Sequence, residues 1–200
     1  MTAASQPLGR RERNKQAKLE RIIAAASELF AQHGVDEVTT QQIADKADIG
    51  TGTLFLYARN KGELLLLVEN ATYGAALERG RAGAEAAPNV LEAALAIVRP
   101  IVECNRAHPG NGRTYLREMI FGDPREPNHG DALTIIAESE KILTAAVQRD
   151  GRFEGEDAAT VARTISSVLF FSMAVGTNAP LGVEGVMKDI RRQLAIVLHR

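Results

Sequence analysis

The chain has 200 residues, of which 45% are hydrophobic and 24% are charged, so its composition is that of a folded globular protein rather than a disordered one. The formal net charge is −1, and the single cysteine, Cys104, excludes a disulfide framework and a metal site built from several cysteines. The longest apolar stretch, Ile165 to Val175, is shorter than the roughly 20 residues that a membrane span needs. With no secretory signal at the N-terminus, we expect a cytoplasmic protein without a membrane partner.

Positive charge is concentrated near the N-terminus. Between Arg10 and Arg21, six basic residues stand against only two acidic ones. A segment of this kind is either a solvated, frayed terminus or a contact surface for a polyanion, and charge alone leaves both interpretations open.

Helical periodicity runs through the whole chain, and the sustained alternation typical of strands is missing, so the predicted fold class is all-α. Thr39 and Gln42 form a capping box for the second helix, and Asn60 caps the fourth. Proline and glycine clusters predict loops at residues 108–112 and 122–130. About nine helices are predicted, over residues 19–34, 40–47, 51–57, 60–81, 89–108, 114–121, 131–149, 157–176 and 183–199.

The second and third predicted helices, joined by a three-residue turn, have the spacing of a helix-turn-helix, whose second helix enters the major groove of DNA. A count at about 100° per residue puts Thr51, Gly52 and Phe55 on one arc of that helix. Phe55 suits contact with a thymine methyl group, and Gln41 suits hydrogen bonding to an adenine edge. Lys61 begins the next helix, where an ammonium group and free N–H groups favour phosphate. An ordinary helical corner has the same spacing, so the adjacent basic segment is what favours DNA.

Four motifs in this region resemble the N-terminal DNA-binding domain of the TetR family of bacterial transcriptional regulators. They are AxELFxxxG at residues 26–34, TTxxIAxxA at 39–47, GTLxxY at 52–57 and NKxEL at 60–64. Their order and spacing are specific, although the matching stretch covers only about a quarter of the chain. The resemblance implies a homodimeric regulator, most simply a repressor, that leaves a palindromic operator in double-stranded DNA when it binds a small hydrophobic or aromatic effector.

The resemblance also implies roles for individual residues. Those expected to bind DNA phosphates are Thr40, Thr53, Tyr57 and Lys61. Those expected to read bases are Gln41, Thr51, Gly52 and Phe55. Three parts of the chain follow: a basic N-terminal arm over residues 1–18, a helix-turn-helix domain over residues 19–65, and an effector-binding and dimerisation domain over residues 66–200.

Three residues depart from the pattern of the family. Gly50 replaces the Ser or Thr that usually caps the recognition helix, and Thr51 replaces a frequent Lys, so both remove polar contacts. Ala58 replaces a usual Phe, and we expect Leu56 to fill the lost core volume. These departures support the alternative of a helical ligand-binding or scaffold protein that does not bind DNA.

The rest of the chain is expected to bind the effector and to dimerise. The eighth predicted helix is apolar on almost every face and must be covered on more than one side. With the last helix it is either buried within one subunit or, as the resemblance implies, part of a dimer interface formed by Ile165, Val168, Leu169, Ile190, Leu194 and Val197. Large apolar side chains among the middle helices predict an effector pocket, lined by Tyr73, Cys104, Tyr115, Met119, Phe170, Phe171 and Met173.

An enzyme is the other alternative that the sequence allows. Cys104 and His108 lie four residues apart on a predicted helix and could meet as a thiolate–imidazole pair. A third group to orient them is not evident, and the four histidines lack the spacing of metal ligands. We therefore expect a protein that is not an enzyme and that needs no metal and no cofactor.

Overall fold

The computed structural model describes residues 9–149 and 151–199, and over these residues the chain forms nine α-helices, one short 3₁₀ helix and no strand. The predicted fold class and number of helices are thereby confirmed. The α-helices are α1 (Arg10–His33), α2 (Thr40–Lys46), α3 (Thr51–Leu54), α4 (Lys61–Glu85), α5 (Val90–Ala107), α6 (Pro109–Phe121), α7 (Pro127–Gln148), α8 (Gly155–Ala174) and α9 (Val183–Val197), with the 3₁₀ helix at Gly176–Asn178 between the last two. None of these helices is long and apolar enough to cross a membrane.

Helices α1, α2 and α3 pack together at one end of the molecule, around a small core that includes Phe30, Ile43 and Leu54. The predicted capping box is present, because the Thr39 side chain accepts the backbone N–H of Gln42 while the Gln42 side chain accepts that of Thr39. These bonds satisfy N–H groups that have no partner inside the helix, and so they fix where α2 begins.

Helix α4 connects this unit to the rest of the molecule. It begins where predicted, with the side chain of Asn60 accepting the backbone N–H of Glu63 at 2.8 Å. Further along, α4 packs mainly against α5 and α7, while α8 packs against α7 and α9. The second half of the chain is thus a helical bundle in which α4 is a central member.

One predicted loop is wrong and a second is shorter than predicted, because several of the proline and glycine residues there belong to helices. The loop expected at 108–112 is the first turn of α6, with Pro109 at its first position and the His108 ring accepting the N–H of Asn111 at 3.3 Å. Proline lacks the N–H that would be unpaired at a helix start, so it begins helices well. Gly112 is needed for packing rather than for a turn, since any side chain there would overlap the backbone of Asn105. The second loop ends early for the same reason, as α7 begins at Pro127.

The basic segment near the N-terminus is helical. Helix α1 begins at Arg10 rather than near residue 19, and residues 10–18 are exposed along its whole circumference. Residues 10–18 of the predicted arm are therefore the exposed first turns of α1. Residues 1–8 of the arm lie outside the described part of the chain.

The close approach of α4 and α5 at Gly80 gives a test of the packing. A Cβ atom on Gly80 would lie 2.6 Å from the carbonyl oxygen of Ile97 and 2.8 Å from its Cα, so Gly80→Ala must push two helix backbones apart. We expect a loss of about 2 kcal/mol in the free energy of unfolding, measured by urea denaturation. Gly74→Ala in the same helix is the matched control, because nothing lies within 4 Å of its added methyl group. That variant should gain about 0.5–1 kcal/mol from helix propensity, and equal effects of the two changes would contradict the packing described.

Candidate nucleic-acid interface and ligand cavity

The turn between α2 and α3 is held by a contact from α1. Asp48 has a φ of 53°, a left-handed conformation that is uncommon for a residue other than glycine. The guanidinium of Arg21 donates to the Asp48 carbonyl at 3.4 Å and lies 3.2 Å from its carboxylate. This contact links the end of the basic segment, within α1, to the turn that orients α3.

The residues predicted to read bases lie together on the exposed side of α2 and α3. The hydroxyl of Thr51 donates to the Gln41 side-chain carbonyl at 2.7 Å, and the Gln41 amide donates to Asp45 at 2.7 Å. Phe55 is 44% exposed, and Gly52 has open space around its Cα. The Gln41 amide is therefore oriented before any ligand binds, in a surface that a flat partner can approach.

The four residues predicted to bind phosphates lie around the same surface. The Tyr57 hydroxyl donates to the Lys15 carbonyl at 3.3 Å, and the Lys61 ammonium donates to the Asp36 carbonyl at 2.9 Å. Both acceptors are neutral backbone carbonyls, so neither hydrogen bond neutralises the charge of Lys61. Thr40 and Thr53 are half-buried and complete the set.

A cleft of about 970 Å³ runs between the start of α1 and the end of α3. Its floor includes Thr53 and Tyr57, and one wall consists of polar and charged side chains of α1: Arg10, Arg11, Glu12, Asn14, Lys15 and Lys18. Most of these are basic, so the cleft combines positive potential with hydroxyl donors, which are the groups that bind phosphate.

The prediction for Leu56 is wrong. This side chain is 83% exposed at the edge of the cleft and does not fill core volume, whereas Ala58 is only 4% exposed. The cause lies in the turn after α3, where N–H bonds to Thr53 and Leu54 carry the chain round so that Leu56 faces outward. An exposed leucine beside cationic side chains adds an apolar contact to this surface.

In the bundle, a cavity of about 480 Å³ lies among α4, α5, α6, α7 and α8, and we call it the effector cavity. Its wall is mostly apolar, with serines and Glu140 as polar exceptions. It contains six of the seven residues predicted for the pocket, namely Tyr73, Tyr115, Met119, Phe170, Phe171 and Met173.

The seventh predicted residue, Cys104, does not line the effector cavity. It lines a second cavity of about 320 Å³, between α1, α4, α5 and α6, which we call the junction cavity because Ala31 of α1 forms part of its wall. Burial raises the pKa of the Cys104 thiol, which therefore stays protonated at neutral pH. The His108 ring also lines this cavity but accepts a backbone N–H at the start of α6. These environments offer no support for a thiolate–imidazole pair.

Tyr73 and Tyr115 are stacked face to face, with ring centroids 4.1 Å apart and planes 2° from parallel. The Tyr115 hydroxyl donates to the side-chain carbonyl of Asn70 at 2.9 Å, whereas the Tyr73 hydroxyl is buried facing the side chain of Asn105 without a well-formed hydrogen bond among the described residues. Burial raises the pKa of both hydroxyls above the ordinary value, so both remain protonated donors.

Three asparagines that the sequence analysis did not single out connect the bundle to the DNA-binding unit. The Asn70 amide donates to the Asn128 carbonyl at 2.9 Å, and the Asn128 amide donates to the Tyr57 carbonyl at 3.3 Å. Asn111 accepts the Val35 N–H at 2.7 Å and donates to the Phe30 carbonyl at 2.9 Å. Asparagine is a poor helix former, and its presence on buried helix faces is the one sequence signal that could have identified Asn70 and Asn128.

Four of the six residues predicted for a dimer interface are already buried within a single chain. Ile165, Leu169, Ile190 and Leu194 are at most 6% exposed, so they pack α8 and α9 against their own bundle and are not available to a partner. Val168 and Val197 remain half-exposed. The prominent exposed apolar side chains of these two helices are instead Phe171 and Ile196, at 64% and 71%.

Comparison with known proteins agrees with this geometry. Residues 22–68 match the family described as bacterial regulatory proteins, tetR family. The "Fatty acid metabolism regulator protein" of Bacillus subtilis is 33% identical over 67 residues, and the match spans 34% of each chain. Thus only about a third of that relative's length is matched.

Solved structures extend the similarity to the whole fold. FadR from Thermus thermophilus, solved in complex with lauroyl-CoA, has a TM-score of 0.71 at 21% identity, covering 90% of this chain and 93% of that one. FadR from Bacillus subtilis, solved in complex with stearoyl-CoA, has a TM-score of 0.63 at 17% identity, covering 88% and 96%. The N-terminal part of the chain therefore matches the TetR family of bacterial regulatory proteins, and the chain shares the fold of these solved regulators.

Proposed function

We propose that the chain is a ligand-responsive transcriptional regulator that binds operator DNA through α3 and the basic face of α1. The observation that supports this most directly is the cleft in which cationic residues of α1 meet the hydroxyls of Thr53 and Tyr57 beside exposed base-reading candidates. Phosphate contacts fix the orientation of a protein on the duplex, and side chains such as Gln41 and Phe55 then discriminate sequence.

We propose that the working form is a homodimer joined through the exposed faces of α8 and α9. Phe171 and Ile196 are large apolar side chains that are exposed to solvent in a single chain, and burying them against a second copy is favourable. A two-fold dimer presents two copies of α3, which suits a palindromic operator with half-sites about one helical turn apart.

For the effector we propose an acyl-CoA or a related molecule with a long apolar chain. The effector cavity has a volume within the range of about 300–1,000 Å³ typical of ligand sites, and its wall is mostly hydrocarbon. Two proteins with the same fold were solved with lauroyl-CoA and stearoyl-CoA, and the chain also resembles part of a fatty acid metabolism regulator. Release of DNA on effector binding, and hence repression, is part of this proposal.

The proposed coupling runs through α6 and through one hydrogen-bond relay, which we define as Tyr115–Asn70–Asn128–Tyr57. Tyr115 is in the wall of the effector cavity, and Asn128 holds the carbonyl of Tyr57 at the end of the recognition segment. Asn111 at the start of α6 holds the end of α1 and the residue that follows its cap. A ligand that presses on Tyr115 shifts α6 and the relay together while the bond to Asn70 is kept, and therefore favours a different spacing of the two recognition helices.

Lys61→Ala tests the proposed DNA interface. We expect binding to operator and to unrelated DNA to weaken alike, by about 1 kcal/mol per subunit, since a phosphate contact carries no sequence information. The plot of log affinity against log salt should become shallower by about two for a dimer, because each lost phosphate contact removes roughly 0.9. Lys141→Ala, an equally cationic position on α7 that is 77% exposed, is the matched control for titration by fluorescence anisotropy. An unchanged affinity and salt slope for Lys61→Ala would contradict the assignment, and no binding of any DNA by the wild type would favour the scaffold alternative.

Ile196→Lys tests the proposed dimer. Burying an ammonium group in an apolar interface is costly, so the dimer dissociation constant should rise at least about tenfold in analytical ultracentrifugation. Leu133→Lys, at a 42% exposed apolar position on α7, controls for the added charge and should leave the dimer intact. The interface would have to be placed elsewhere if the two variants behaved the same.

Tyr115→Phe tests the relay while it keeps the aromatic wall of the cavity. The measured quantity is the coupling factor, defined as the ratio of effector affinities without and with operator DNA, which linkage makes equal in both directions. Losing the bond to Asn70 should lower this factor by about fivefold, equivalent to about 1 kcal/mol. Thr134→Ala, which removes an exposed hydroxyl of α7 that bonds within its own helix, is the control and should leave the factor unchanged. Identical coupling in Tyr115→Phe and the wild type would rule out the relay.

A further inference from the structure

The effector cavity and the junction cavity share a wall. Tyr73 and Tyr115 line both of them, so the stacked pair of rings forms a partition between the two spaces. On one side are the apolar side chains of α7 and α8, and on the other are Cys104 of α5 and Ala31 of α1. If the partition opened, the two spaces would join.

The two rings are held very differently. Tyr115 is anchored by its hydrogen bond to Asn70, and it is at most 1% exposed. The Tyr73 hydroxyl is buried facing the side chain of Asn105 and makes no well-formed hydrogen bond among the described residues, so turning this ring costs less than turning Tyr115. Tyr73 is therefore the movable half of the partition and Tyr115 the fixed half.

Polar groups without partners lie beside the movable ring. Asn105 is fully buried beside the Tyr73 hydroxyl, and its side-chain amide makes no well-formed hydrogen bond, while Arg106 has two buried guanidinium nitrogens without one among the described residues. Its remaining nitrogen donates weakly, to the carbonyls of Met173 and Asn178 at 3.5 and 3.4 Å. Buried polar groups are normally satisfied, so this set is a place where a rearranged Tyr73 hydroxyl gains a partner.

We propose that Tyr73 is a gate through which a long acyl chain passes from the effector cavity into the junction cavity, so that the protein discriminates acyl groups by chain length. This inference rests on the proposed acyl effector. A short chain is contained in the effector cavity and leaves the stack closed. A long chain turns Tyr73 aside and occupies the second space beside Cys104, Ala107 and Ala31, with the polar side chains of Glu69, Glu103 and His108 also in its wall.

The position of the junction cavity connects the length of the acyl chain to DNA binding. Its wall includes Ala31 near the end of α1 and Asn111, whose side chain bonds to Phe30 and Val35 of the DNA-binding unit. A chain end in this space presses on the contact between the two halves of the molecule. Long chains therefore release DNA, whereas short ones bind without releasing it.

The test compares octanoyl-CoA with palmitoyl-CoA, below its micelle concentration, by calorimetry on the full-length protein. Cys104→Leu fills the junction cavity, and we expect it to weaken palmitoyl-CoA at least tenfold while octanoyl-CoA stays within twofold. Ala107→Leu, at an exposed position of the same wall, gives the same selective loss if Cys104→Leu does not fold. Ile136→Phe, in the effector cavity alone, is the matched control and should weaken both ligands.

Each result decides between the proposals. A selective loss of palmitoyl-CoA in the junction-cavity variants supports the gate, as does palmitoyl-CoA alone displacing operator DNA from the wild type. Equal losses for both chain lengths, or no loss for either, overturn the gate but leave the acyl effector standing. No binding of either acyl-CoA by the wild type overturns the proposed effector and the gate together, while DNA binding is measured independently.

Discussion

The continuity of α4 is the constraint on which the rest of the molecule depends. This helix of 25 residues begins beside the recognition segment and packs along α5 and α7 of the bundle, so it spans about 38 Å as one element. Its start is fixed by the Asn60 cap, and its second half is held against α5 where Gly80 lets the backbones touch. In the proposed mechanism, a change of packing in the bundle reaches the DNA-binding unit as a tilt of α4, because no linker separates the two.

Local capping rules made much of this fold predictable. The capping box at Thr39 and the cap at Asn60 lie where the sequence places them, because each depends only on residues three apart. The glycine and proline clusters at residues 108–112 and 122–130 could not be assigned from local rules, since α6 begins at Pro109 and α7 at Pro127. Gly112 is needed because Asn105 lies against it, and that contact between α5 and α6 is invisible in a local reading of the sequence.

The site was predictable to a similar, limited extent. Large apolar residues near the bundle centre do line one cavity, but Cys104 lies behind the tyrosine stack, and only the three-dimensional packing separates the two spaces. Ile190 and Leu194 illustrate the same limit, since an apolar helix face predicts burial without telling whether its own chain or a copy covers it. Asn128 bonds to residues more than fifty positions away, a relation that no local pattern carries.

The projecting start of α1 has a consequence for how this protein first meets a polyanion. The side chains of residues 10–18 are exposed, the Tyr57 hydroxyl reaches the backbone of this segment at Lys15, and its continuation into the rest of α1 supports its helical form. Extending an existing helix avoids the cost of nucleation, so these turns wind readily yet fray readily from the free end. Unwound, the same cations reach further into solution than they do when coiled, which widens the capture radius for a passing duplex. Rewinding on contact then makes the strength of that first encounter sensitive to temperature as well as to salt.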